Sequence, residues 1–438
     1  MPIAIPPYAV AYCYADLTDY SAFFSFFPSI RSRLGAIFIL SLTLFPYVYL
    51  ICKNAFTNNS MSILESAANL GADRITLFFK FALPISRPAI VASIALVVME
   101  TLADFGTVDF FSINTLTLAI FNVWLGMGNA SGAAQISLVI LIFVFTLLYF
   151  EKSARNRREY HIIDRNNILI QRNILKGYKS FIAFTICFIP LLIGFIIPSI
   201  ILFYYSLLTF DISFDISFYK LIINSFSLSL IASLITVIAA IVIASGQRLY
   251  GNKFIIFTRI SLLGYAFPGA VLALGIIIPL ALIDNYIDKF FISYFNISTG
   301  LILSGSIFAL LFAYLIRFIA IGYGAIESGY TSINKNIDMA SISLGAGKIF
   351  TIKKIHIPLL KSSILIASII VFVDTMKELP ATLILRPFNF DTLATNVYQL
   401  ASDELLEQSS LSALTIVLVG IVPLIFLTKK ISDNKYFS

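Results

Sequence analysis

Residues 65–84 read ESAANLGADRITLFFKFALP and residues 339–358 read MASISLGAGKIFTIKKIHIP. Gly71 and Gly345 lie 274 positions apart, as do Pro84 and Pro358, so each glycine precedes its proline by 13 residues. Leu70 and Ala72 flank the first glycine, and Leu344 and Ala346 flank the second. Glycine permits the left-handed conformation that ends a helix, and proline suits the first turn of the next one. Each segment therefore predicts a short helix, a break and a second short helix. Ile75, Leu77, Phe78 and Phe79 in the first, and Ile349, Phe350 and Ile352 in the second, place apolar groups beside basic ones. A single such helix reads as surface packing on its own bundle. Two at equal spacing read as a duplicated element for docking in a partner's groove.

The register runs on in both directions. METLADFG (99–106) lies over VDTMKELP (373–380), matching Glu100 with Asp374, Thr101 with Thr375 and Asp104 with Glu378. Upstream, IPPYAVAY (5–12) aligns with FPGAVLAL (267–274) at a slightly different offset. Both glycine-broken loops fall on one side of the membrane, so the repeat is parallel.

Composition places this repeat in a bilayer. The 438 residues are 59% hydrophobic and only 12% charged, far from the balance of a soluble enzyme. Apolar runs of about 20 residues predict ten crossings. They centre on 1–15, 34–52, 87–105, 132–150, 180–206, 222–245, 259–283, 299–322, 359–376 and 410–428. The loops of one side then hold, with their flanks, 24 of the 30 Lys and Arg, which marks that side as cytoplasmic. The opposite loops are acidic, with Asp211, Asp215, Asp284, Asp288, Asp391, Asp403, Glu404 and Glu407. The net charge of +7 is thus topological, and nucleic-acid binding is excluded as its cause.

Residues 151–179 form a charge-rich cytoplasmic linker between an N-terminal unit, 1–150, and a C-terminal unit, 180–438. The fold class is an all-α polytopic membrane protein with spans arranged four plus six. Mapping residue 180 back by 274 falls before residue 1, which predicts two further helices upstream of this sequence. Cys13, Cys52 and Cys187 read as buried, reduced packing residues, and His161 and His356 as ordinary loop residues, so no metal site is expected. Arg317, near the predicted inner end of its helix, is expected to snorkel to the cytoplasm.

The loops resemble the EAA loop of the permease subunits of bacterial ABC importers, and the fused pair is similar to the iron(III) branch. Copy one keeps Glu65, Ala67, Gly71, Leu83 and Pro84 of the pattern; copy two offers Asp338, Ala340, Gly345, Ile357 and Pro358, with Met339 at the acid position. FPYVYL (45–50), METLADFGTVDFF (99–111), GYAFPGAVLALG (264–275) and KELPATLILRPFNFDTLA (377–394) extend the likeness over essentially the whole chain. The resemblance implies two parallel MetI-like permease units whose loops sit in clefts of cytoplasmic ATPase subunits, expected as a homodimer. It also implies a periplasmic binding protein that delivers iron(III) to the acidic outer face. Thiamine, a polyamine or another anion is the alternative substrate of such a fused permease.

Glu100 and Asp104 are four apart, on one helical face, and Asp374 and Glu378 repeat that face. Carboxylates in spans are costly and point to function, so these four are expected to line a path for a cation. The alternative is that they cap helices or pair with Lys377 and Arg386. No phosphate loop is present, since GAGKI (345–349) lacks the earlier glycine and the hydroxyl residue, so ATP hydrolysis belongs to a partner and no cofactor is expected. An ion-coupled secondary transporter would share the repeat and the acids but needs no docking loop in each half. A membrane-embedded enzyme would cluster polar catalytic residues at one depth.

Overall fold

The computed structural model describes residues 2–20, 29–58, 66–156, 175–331 and 333–433. Glu65, His161 and most of the 151–179 linker lie outside the described residues. The described elements are all helical. In chain order the principal ones are α1 (Pro7–Tyr20), α2 (Arg33–Asn58), α3 (Leu83–Ala103), α4 (Gly106–Phe110), α5 (Leu116–Phe121) and α6 (Ala130–Asn156). Then come α7 (Tyr178–Leu191), α8 (Ile197–Leu208), α9 (Ile216–Tyr250), α10 (Ile255–Leu263), α11 (Gly269–Phe295) and α12 (Ile307–Thr331). The chain finishes with α13 (Lys335–Ser343), α14 (Lys361–Met376), α15 (Pro380–Leu385), α16 (Leu393–Ser402) and α17 (Leu406–Asp433).

Among the described residues, eight helices are long and apolar enough to cross a membrane, or nine if the bent pair Lys348–Leu359 and Lys361–Met376 is one span. Of the ten expected spans, the run at 359–376 appears only within that bent pair, and two others differ in form. The run at 1–15 becomes α1, whose 14 residues reach only about 21 Å, short of a hydrocarbon core of about 30 Å. The run at 259–283 is broken at Phe267–Pro268, where proline cannot continue the helix, and α11 extends on to Phe295. The expected outer loop at 284–298 is therefore largely helical, and Asp284 is fully buried within it. Asp284 accepts hydrogen bonds from the backbone N–H groups of Leu303 and Ser304 and from the Ser304 hydroxyl. Asp288 accepts from Ser298, Thr299 and Gly300 in the same way, so two carboxylates pin residues 296–306 as a loop and delay the start of α12 to Ile307.

Three helices are interrupted by a π-helical turn that ends one residue short of a proline. Leu77–Ala82 precedes Leu83-Pro84, Leu192–Ile196 precedes Ile197-Pro198, and Ile352–His356 precedes Ile357-Pro358. Proline removes a backbone donor and crowds the carbonyl four residues earlier. The wider turn relieves this, since Leu83, Ile197 and Ile357 each donate to a carbonyl five residues back. Pro84 thus lies inside a helix continuing from Arg74, rather than at a fresh start. In copy two the helix instead turns by 76° at Leu360.

α9, α12 and α14 pack on one another, as α2 packs on α3. The repeat's two leading helices straddle both halves: α1 packs on α2 and α4 and also on α8, α16 and α17, while α11 packs on α12 and α15 and also on α5 and α6. Ala9, Val10, Ala11 and Ala15 bury α1 in the central core, whereas Phe181, Ile186, Phe203 and Ile223 leave an apolar outer surface for lipid.

Candidate functional site

Two places carry the sequence's polar signals: the two glycine-broken loops and a cavity lined from both halves. In each loop a helix ends in the same hydrogen-bonded cap. Ala72 N–H donates to Ala67 C=O at 3.1 Å and Gly71 N–H to Ala68 C=O at 2.9 Å; Ala346 donates to Ser341 and Gly345 to Ile342 at the same two distances. Gly71 and Gly345 hold φ of +88° and +79°, where a side chain is strained. Ala67 and Ser341, 274 apart, face inward in both copies, while Leu70 and Leu344 are almost fully exposed. Leu83 and Pro84 are half-buried; Ala340, Ile357 and Pro358 are exposed.

The copies differ in how the loop is tied to the membrane helices. Phe56 stacks on Phe78 in copy one. Tyr330, at the same register, belongs in copy two to a buried polar chain. The Ser245 and Tyr330 hydroxyls lie 2.7 Å apart, the Tyr330 hydroxyl is hydrogen-bonded with His356 Nδ1 at 3.1 Å, and His356 Nε2 with Asp338 Oδ1 at 2.8 Å. Arg248, at the end of α9, closes the chain through Nε to Asp338 Oδ2 at 2.7 Å and through Nη1 and Nη2 to the carbonyls of Tyr330 and Ile333. Lys348 sits 3.6 Å above the Tyr250 ring. Burial pushes the Asp338 carboxyl up, but the hydrogen bonds and charges of Arg248 and His356 outweigh it and hold the group below the usual carboxylate range. Asp338 therefore faces the bundle, and Met339 faces outward. His356, expected as an ordinary loop residue, is fully buried in this chain. Its register partner is Ala82, and a polar residue replacing alanine in an otherwise apolar repeat was the available signal.

The second place is a cavity of about 90 Å³ lined by α1, α2, α3, the turn at Tyr265, α12 and α14. Glu100, Asp104, Asp374 and Glu378 all line it, together with Tyr265, Arg317 and Lys377. Asp104 accepts from the N–H groups of Thr107 and Val108 and from the Thr107 hydroxyl, capping α4. Glu378 repeats this on α15 with Ala381 and Thr382. Asp374 is paired with Lys377 at 2.8 Å, and Glu100 accepts from the Tyr265 hydroxyl. Capping and pairing thus coexist with a shared cavity. Among the described residues no three His, Cys, Asp or Glu groups are arranged to hold a metal ion.

Arg317 departs from expectation. Because α12 runs from Ile307 to Thr331, Arg317 is not near its inner end but roughly 15 Å from the outer one, and it is 8% exposed. It lines the cavity instead of snorkelling. Of the cysteines, Cys13 is buried, Cys52 half-buried and Cys187 exposed on α7, since that apolar helix presents much of its surface outward.

Residues 1–157 match the model of the family described as binding-protein-dependent transport system inner membrane component. Over that stretch the chain is similar to permeases of that family. The chain is 26% identical over 438 residues to the Fe(3+)-transport system permease protein FbpB 2 of Haemophilus influenzae, covering 98% of this chain and 81% of the relative. It is 24% identical over 374 residues to the ferric transport system permease protein FbpB of Actinobacillus pleuropneumoniae, covering 78% of this chain and 50% of that protein. A 132-residue stretch is 29% identical to the molybdenum transport system permease protein ModB of Escherichia coli, covering 28% of this chain and 58% of that one. Among solved structures, a bacterial ABC transporter involved in the import of the acidic polysaccharide alginate aligns with a TM-score of 0.44 at 15% identity, over 58% of this chain and 94% of that one. The chain thus combines eight or nine candidate membrane spans among its described residues with similarity to permeases of binding-protein-dependent and ferric transport systems.

Proposed function

We propose that the permease conducts iron(III) delivered by a periplasmic binding protein, driven by a pair of identical cytoplasmic ATPase subunits. The similarity to ferric permeases over 98% of the chain supports the substrate. The observation that carries the coupling mechanism is the pair of loops with matching glycine caps, each with exposed leucine, isoleucine and phenylalanine beside basic residues. Such a helix end fits a cleft on an ATPase, and residues Gly71, Leu83, Pro84, Ala340, Gly345, Ile357 and Pro358 are assigned to that contact, with the inward-facing Ala67 packing the first loop behind it. Asp338 serves it from beneath, holding the second loop to α9 and α12.

In this reading the units are 1–150 and 180–438, joined by the 151–179 linker. Closure of the ATPases moves the loops, and α3 and α14 carry that movement to the acids at their outer ends. Glu100, Asp104, Asp374 and Glu378 make the cavity electronegative and form part of the cation's path. The permease itself catalyses no bond-breaking step.

The test is uptake of radioactive iron(III) by cells or proteoliposomes carrying the importer, with Glu100→Gln and Asp374→Asn combined. At least about a tenfold loss is expected, the scale of a removed charged contact. Wild-type uptake by the folded double variant would contradict the path.

A further inference from the structure

The cavity contains unfilled hydrogen-bonding capacity that a cation cannot satisfy. Arg317 is 8% exposed, yet its Nε and Nη1 meet no acceptor; the Tyr8 hydroxyl, on α1 at the same cavity, is also without a partner. A guanidinium has only donors, and keeping it from water without an acceptor is costly. The neighbouring acids do not meet this need. Asp104 and Glu378 are engaged by helix N–H groups and threonine hydroxyls, Asp374 by Lys377, and Glu100 by Tyr265. Gly269, at the start of α11, keeps space beside the guanidinium, because a Cβ there would stand 2.7 Å from Arg317 Nη1 and 2.8 Å from Glu378 Oε1. At about 90 Å³ the cavity has room for a small oxoanion.

We propose that Arg317 makes this cavity an oxoanion-binding site, with the Tyr8 hydroxyl as a second donor. The occupant is a small carboxylate or inorganic oxoanion, either free or borne as a ligand of the transported ion. Four carboxylates against two cations in the lining repel a free anion but accept one bonded to a polyvalent cation, so the metal-borne form binds more tightly. The site goes beyond the cation path, and its occupancy is read from binding alone, without transport.

The experiment measures equilibrium binding of [14C]oxalate to the full chain in lipid nanodiscs, with and without equimolar iron(III). Saturable binding is expected, tighter with iron(III), and weakened at least about tenfold by Arg317→Gln, as for a lost charge-assisted hydrogen bond. Gly269→Ala, which keeps the charge but crowds Nη1, weakens it in the same direction and serves if Arg317→Gln does not fold. Equal affinity with and without iron(III) would keep the oxoanion site and assign it to the free anion. Oxalate affinity unchanged in both variants, or no saturable oxalate binding with or without iron(III), would overturn the proposal. Binding that persists in a chain unable to support uptake would count against the importer reading while leaving this site standing.

Discussion

Asp338 carries two partners at once, and its removal strands both. Arg248 and His356 are held by opposite oxygens of one carboxylate at 2.7 and 2.8 Å, with little exposure on any of the three. Asp338→Ala leaves a buried guanidinium without its carboxylate, a change worth about 3 kcal/mol. The expected outcome is a lower thermal midpoint of the purified protein, with Asp338→Asn intermediate. The depressed folded-state pKa of Asp338 also fixes a pH dependence. Its stabilisation is fully present above the ordinary carboxylate range, about pH 4, and is lost as pH falls through the lowered folded value. The difference in thermal midpoint between wild type and Asp338→Asn should therefore be constant from pH 7 to 5 and shrink below pH 4. A difference that grows on acidification would contradict the assignment. At this scale the sequence was only partly legible. The four cavity acids stood out because carboxylates are rare in apolar runs. Arg317 was visible for the same reason, but its depth depended on where α12 begins, which Asp284 and Asp288 set from another helix. His356 and Arg248 meet only in three dimensions.

At the scale of elements, the spacing of 13 residues between glycine and proline marks a cap followed by a π turn. The glycine half was legible, since a left-handed helix end favours that residue. The proline half was not. A proline that starts a helix and one that sits above a π turn leave the same trace in sequence, and only the chain's continuation N-terminal to it distinguishes them. Pro358→Ala restores a donor at residue 358 and lets the turn at Ile352–His356 revert to α-helix, rotating the loop by about 100° relative to α14. ATP hydrolysis by the assembled importer should persist while uptake per ATP falls severalfold. Unchanged coupling would contradict a mechanical role for the turn. Gly71→Ala and Gly345→Ala place a side chain at positive φ, straining each cap by about 1 kcal/mol. Co-purification of the ATPase should drop most in the double variant.

For the whole molecule, the parallel repeat organises everything else. α2 and α12, α3 and α14, and α4 and α15 occupy equivalent places at one offset of 274 residues. The leading helices α1 and α11 straddle the two halves, and the cavity is walled by residues of both, from α1, α2 and α3 on one side and Tyr265, α12 and α14 on the other. Apolar runs revealed the membrane class, and the repeat revealed the pairing of elements. The straddling was hidden because nothing in the apolar surface of α1 specifies that it covers both halves. The central claim is that this chain is the membrane path of an ATP-driven iron(III) importer. Its most direct test is uptake of radioactive iron(III) into proteoliposomes containing the permease with its ATPase subunits, supplied with the binding protein. The account predicts uptake that requires both ATP and the binding protein and is abolished by Gly71→Ala with Gly345→Ala. Iron uptake driven by a proton gradient with the chain alone would contradict it.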